Sequence, residues 1–222
     1  MGSMFISYLT QDPWFYFTWV LIVIFSICVH EFAHAWMALK LGDPTAADRG
    51  HLSLNPLVQM GPTSMVVLGL FGIAWGAVPV NVGRLTRRGD AAVSVAGPSA
   101  NLILAVLAAL IATILGLPVW GAEGPEMAAQ FFRFAGLANA VLFLLNMLPV
   151  PMLDGWAVFS LFVPPMRTVS AEVSQALTMI FFMLIFMTPA GSLLWRYGGM
   201  IAETLLVGWG QVFSVIVVGF GG

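Results

Sequence analysis

Apolar residues in this chain come in long runs separated by short polar, proline and glycine stretches, and the runs set the elements. The first run, residues 14–41, opens behind Asp12-Pro13, an N-cap and a first-turn proline, and stops at Gly42 and Pro44. It predicts a helix of about 42 Å, longer than a hydrocarbon core of roughly 30 Å. Residues 50–56, G-H-L-S-L-N-P, alternate in polarity as a short strand does. Residues 61–80 are apolar but broken by Gly69, Gly72, Gly76 and Pro79, which suits a crossing or a re-entrant hairpin. Residues 91–117 predict a helix with a kink at Gly97-Pro98, and residues 127–150 another that breaks at Pro149 and Pro151. A short segment at 155–163 and the Pro164-Pro165 break precede two final runs, 170–187 and 199–218.

Composition turns these runs into a class. Of 222 residues, 60% are apolar and 8% charged, and mean hydropathy is +0.96, the profile of an integral membrane protein. The net charge of −2, with eight basic residues scattered or at span ends, argues against nucleic acid as a partner. A single cysteine, Cys28, excludes an intrachain disulfide. The N-terminus lacks a basic n-region and is read as mature sequence. Lys40 and Arg49 follow the first run, Arg84, Arg87 and Arg88 precede the third, and Arg167 follows the fourth. Placing all of them on the cytoplasmic side makes residues 61–80 dip in and return, with the N-terminus outside. The expectation is an all-α polytopic membrane protein of about five to six membrane segments. A short strand and a re-entrant element lie between its first and second full spans.

The candidate chemistry sits in the first run, as V-H-E-F-A-H at residues 29–34. His30 and His34, at i and i+4, share one helix face and suit two imidazole ligands on one metal. Glu31 stands where the carboxylate of H-E-x-x-H reaches a metal-activated water without being a ligand. A charge at mid-helix costs about 2.5 to 3.5 kcal/mol to insert, so polar groups at this depth call for a reason. An interhelical hydrogen-bond cluster is the plainer reading. Catalytic zinc usually takes three protein ligands. His51 is one option for the third, although its place in an alternating stretch after a turn suits a polar residue at the membrane surface or near a substrate path. Asp154 is the stronger candidate: it ends N-M-L-P-V-P-M-L-D, at the same cytoplasmic end as the histidines on the charge-based topology.

H-E-F-A-H followed about 120 residues later by N-x-x-P-x-x-x-L-D-G resembles the site-2 protease family of intramembrane zinc metalloproteases. A-G-P-S-A-N at 96–101, L-N-P at 54–56 and P-V-N at 79–81 extend the likeness over residues 20–160. The resemblance implies one Zn2+ per chain held by His30, His34 and Asp154, with Glu31 as general base. Transmembrane protein or peptide helices in the lipid bilayer would be the substrates. The chain is read as a compact form, without the PDZ or regulatory domain that many relatives use, and its length suits one membrane-embedded domain over 1–222, with the catalytic core at 14–163 and C-terminal helices at 170–218. The expected location is the prokaryotic cell membrane, with the active site nearer the cytoplasmic face. Gln59 departs from relatives that carry a histidine after L-N-P.

Asn146, as the resemblance suggests, or Asn101 would donate to the oxyanion or hold substrate backbone; interhelical hydrogen bonding is their other role. A substrate helix must unwind before its carbonyls are reachable, and the stretch from His51 to Asn55, or an extended part of 61–80, would pair with the opened strand. Two rival functions use the same residues. A divalent-metal transporter would want polar groups strung across the bilayer, and outside the cytoplasmic half the sequence offers little besides Asn139, Arg133 and Glu203. A catalytically inactive scaffold would have no need of a complete ligand set and base.

Overall fold

The computed structural model describes residues 4–116 and 126–220, with side chains to residue 213. Leu117, which ends the third apolar run, lies outside the described residues. The principal helices are α1 (Pro13–Lys40), α2 (Gly61–Phe71), α3 (Arg87–Leu115), α4 (Glu126–Asn146), α5 (Asp154–Phe159), α6 (Ala171–Met187) and α7 (Ala190–Phe220). Of these, α1, α3 and α4 are long and apolar enough to cross a membrane. Helices α6 and α7 meet at 79° across a short break and count together as a fourth span. The chain is therefore an all-helical, multi-pass membrane protein with three or four candidate spans among the described residues, fewer than the sequence suggested.

Two physical causes account for the difference. The last two runs are one bent pair, because the break falls at Pro189 and α7 begins at Ala190 rather than near residue 199. Residues 61–80 contain only 11 helical residues, about 17 Å at 1.5 Å each, which is half a hydrocarbon core. Gly72, at φ +74, ends α2, and the chain from residue 73 to 80 has no regular secondary structure. Its backbone is held by Ser64 Oγ at Trp75, by the Gln59 carbonyl at Ala77 N–H (3.0 Å) and by Asp43 at Asn81 N–H (2.7 Å).

The expected strand at 50–56 does not form, and no strand occurs among the described residues. Alternating polarity favours a strand only if a neighbour takes up the backbone groups. Here a side chain does so instead: Gln59 Nε2 donates to the carbonyls of His51 and Ser53. The stretch then turns into a short helix, Pro56–Gln59, capped by Asn55, whose side chain accepts from Leu57 N–H.

Packing between the spans relies on small side chains, as expected where lipid supplies no hydrophobic drive. On α1, Ile22, Ser26, His30, His34 and Ala38 form one buried row four residues apart. On α3 the buried row is Gly97, Asn101, Ala105, Ala109 and Ala112. Helix α4 meets it closely, since a methyl on Gly136 would stand 3.6 Å from the Ala105 carbonyl oxygen. Pro98 does not break α3, which runs continuously through it.

Asp43, fully buried just beyond α1, ties the end of that helix to the returning segment. It also accepts from the backbone N–H and hydroxyl of Thr45. Burial pushes its carboxyl up, but the hydrogen bonds from Thr45 and Asn81 outweigh this and hold it below the usual carboxylate range. A folded pKa below the unfolded one contributes stability that is complete above about pH 4 and is lost as pH falls through the lowered value. Asp43→Ala should lower the thermal midpoint of the detergent-solubilised protein at neutral pH. It should change the midpoint progressively less as pH drops below about 4, an outcome readable in a pH series of melting curves.

Candidate active site

Three titratable side chains from two distant parts of the chain converge inside the bundle. His30 and His34 come from the buried row of α1, and Asp154 is the first residue of α5. Pro149 and Pro151 prevent α4 from continuing, and Met152, at φ +67, turns the chain so that Leu153 caps α5. Gly155 lies so close to the carbonyls of Met147 and Leu148 that a side chain would strike them. The Asp-Gly pair is thus a close approach of α5 to the end of α4, beyond being a turn. Helix α6, which carries no motif, contributes Thr178, whose buried hydroxyl donates to the Pro151 carbonyl at 2.7 Å.

The His30 and His34 Nε2 atoms are 3.0 Å apart. His30 Nε2 lies 3.1 Å from Asp154 Oδ2, and His34 Nε2 3.3 Å from Asp154 Oδ1. His34 Nδ1 faces the Val93 carbonyl at 2.7 Å, an acceptor only, so this nitrogen carries the proton and Nε2 the lone pair. His30 Nδ1 donates to Asn101 Oδ1 at 2.6 Å, which leaves its Nε2 a lone pair as well. Two imidazole Nε2 atoms and a carboxylate therefore face one another, each offering a lone pair when the rings are neutral, and buried Asp154 Oδ2 has no hydrogen-bond partner. Such a set of acceptors is repulsive unless a cation sits among it, and two imidazoles with one carboxylate suit zinc. These three are the group among the described residues able to hold a metal ion. Gly97 of α3 closes the other side: a Cβ there would collide with both Nε2 atoms.

Glu31 is buried beside the pair, and the returning segment passes over it so closely that a Cβ on Gly76 would meet its carboxylate. His51 is half-buried. Its Nδ1 lies 3.2 Å from Gln59 Oε1, so Gln59 holds the ring. His51 is not among the converging ligand atoms. Asn101 is fully buried behind His30, in the position of a group that orients a ligand and not of one that meets substrate. Asn146 donates to the Leu142 carbonyl of its own helix, and exposed Asn55 serves as a helix cap; among the described residues neither has a hydrogen bond to the three converging groups. Asn139, first grouped with a remote part of the membrane, instead donates to Ser26 Oγ and accepts from Asn101. Sequence reasoning missed Asn139, Gly97 and Asp43; the A-G-P-S-A-N stretch was the one signal that marked part of this wall.

Known proteins resemble this chain in sequence. The model for peptidase family M50 matches residues 118–188. YwhC of Bacillus subtilis, named as a candidate zinc metalloprotease, is 36% identical over 187 residues, covering 79% of this chain and 83% of YwhC. Rip2 of Mycolicibacterium smegmatis, named in the same way, is 33% identical over 178 residues, 75% of this chain and 65% of Rip2. Rip2 of Mycobacterium tuberculosis is 32% identical over 171 residues, 74% of this chain and 64% of that protein. No solved structure matches. Similarity running through most of this chain and most of YwhC, with the family's own pattern matched in the half that bears Asp154, places the chain in peptidase family M50, the zinc metalloproteases of the site-2 protease type.

Proposed function

We propose that the protein is an intramembrane zinc endopeptidase that cuts peptide bonds within or near transmembrane helices of other membrane proteins. The observation that carries this reading is the convergence of His30 Nε2, His34 Nε2 and Asp154 beside a buried, non-ligating Glu31. His30, His34 and Asp154 would hold one zinc ion, whose Lewis acidity activates water and offsets charge developing on the scissile carbonyl. Glu31 accepts the proton of the attacking water and returns it to the leaving nitrogen. Val93 and Asn101 keep the two imidazoles in the tautomer that offers Nε2.

The returning segment supports a route for substrate. Trp75 bonds to Ser64 of α2 and Ala77 to Gln59 just before it, whereas the intervening Gly76 and the following Val78 and Val80 have no backbone hydrogen bond among the described residues. That leaves backbone groups of this segment open, with Gly76 against Glu31. An unwound substrate segment pairing with these groups would have its backbone satisfied while lying beside the base. The reading treats 1–222 as a single domain and residues 61–80 as re-entrant, with the site toward the cytoplasmic end of α1 in a prokaryotic cell membrane.

Transport is the weaker reading, because Ser26, Asn101 and Asn139 form one closed cluster around His30 and not a path across the bilayer. In proteoliposomes, the protein should cleave a tagged transmembrane reporter, lose that activity to a zinc chelator and regain it on adding zinc, with no zinc flux into the lumen. Flux without cleavage would establish transport in its place.

A further inference from the structure

We infer that Asn139 is a positioning residue for the metal centre: it sets the tautomer of His30 from a distance, through Asn101, using the backbone carbonyl of Ala135 as the fixed point. The inference rests on the proposed role of His30 as a metal ligand and assigns the machinery behind it. An imidazole offers Nε2 to a metal only if its proton sits on Nδ1. For His34 this is settled directly by the Val93 carbonyl. His30 faces no backbone carbonyl; it faces a side-chain amide, and an amide can present either its oxygen or its NH2. Taken alone, Asn101 would accept from His30 in one orientation and donate to it in the other. Only the first serves a metal.

The chain behind Asn101 removes the choice. Asn139 Nδ2 lies 2.9 Å from the carbonyl of Ala135, one turn back on α4, and a carbonyl oxygen accepts only. The NH2 of Asn139 must therefore point there, which turns its Oδ1 to Asn101. That oxygen accepts from Asn101 Nδ2 at 2.9 Å, so Asn101 in turn presents Oδ1 to His30 Nδ1. The Ser26 carbonyl, 3.4 Å from Asn101 Nδ2, favours the same orientation. Ser26 Oγ, 2.9 Å from Asn139 Nδ2, either gives or takes a proton and so carries no polarity of its own. Ser26, Asn101 and Asn139 are all buried, so no water substitutes for a missing partner. The relay joins α1, α3 and α4 and ends on the lone pair that faces Asp154.

The chain has three histidines, which makes the tautomer readable. Full-length protein labelled with 15N-histidine, metal-free in detergent micelles and at a pH high enough for both rings to be neutral, should show His30 and His34 as Nδ1–H tautomers in two-bond proton–nitrogen spectra. Asn139→Leu, close in volume to asparagine, should shift His30 toward a tautomer mixture while leaving His34 unchanged. It should also weaken zinc binding by about 10- to 100-fold, the usual effect of losing an outer-shell partner. In an Asn101→Ala background the same change should have almost no further effect, because Asn139 acts through Asn101. Ser26→Ala should preserve the His30 tautomer. Should Asn139→Leu not fold, the wild-type spectrum decides. His30 in the Nε2–H form, an unchanged His30 in Asn139→Leu, or additive losses in the double variant would overturn the relay. Zinc binding by the wild-type protein tests the ligand reading separately, so the two fail independently.

Discussion

Replacing Gly97 by alanine should abolish zinc binding while leaving the fold intact. The two halves of this expectation come from opposing effects at one atom. Within a helix, glycine is about 0.5–1 kcal/mol less favourable than alanine, so at an ordinary position of α3 the substitution would stabilise the protein slightly. At residue 97 the new methyl falls against His30 Nε2 and His34 Nε2, in the space toward which both lone pairs and the Asp154 carboxylate point. Backbone on one side and two packed imidazoles on the other leave the methyl nowhere to go except into the metal position. Metal content by mass spectrometry should fall from about one zinc per chain to background. Melting curves offer a second readout, because a ligand at 1,000 times its dissociation constant stabilises by about 4 kcal/mol. Zinc should raise the midpoint of the wild type and leave that of the variant unmoved. Stoichiometric zinc in Gly97→Ala would show that the metal lies elsewhere.

Part of this centre was legible in the sequence and part was not, for a physical reason. Helical spacing alone puts His30 and His34 on one face, and the charge pattern alone puts Asp154 at the same end as the pair. Those residues declare themselves because ionisable groups are rare in a chain with 8% charged residues. The outer layer is written differently. Gly97 matters through an atom it lacks, and Asn101 and Asn139 matter through the direction in which an amide faces, a property fixed only when α1, α3 and α4 come together. The same holds for His51 to Asn55: alternation predicted a strand, but the partner that satisfies its carbonyls is the side chain of Gln59, several residues ahead. The described residues hold three or four candidate spans against five to six expected membrane segments, because hydropathy registers apolar runs and does not distinguish a crossing from a half-depth hairpin or a sharply bent pair.

The second large effect is expected at Glu31. Two carboxylates lie near the proposed zinc, and the structure separates their roles: Asp154 is within 3.3 Å of both imidazole nitrogens, whereas Glu31 is not among the converging ligand atoms. Glu31→Gln keeps size and shape and removes the charge and the ability to take up a proton. General-base catalysis contributes about 10²- to 10⁴-fold, and turnover should fall by at least that much. Asp154→Asn, by contrast, should lose metal first and activity as a consequence. The decisive measurement is therefore zinc content and cleavage of a tagged transmembrane reporter on the same preparation of Glu31→Gln in proteoliposomes. Zinc retained at the wild-type level with cleavage lost is the predicted result. Cleavage at the wild-type rate, with zinc bound, would contradict the assignment of Glu31 as the base and with it the proposed hydrolytic mechanism.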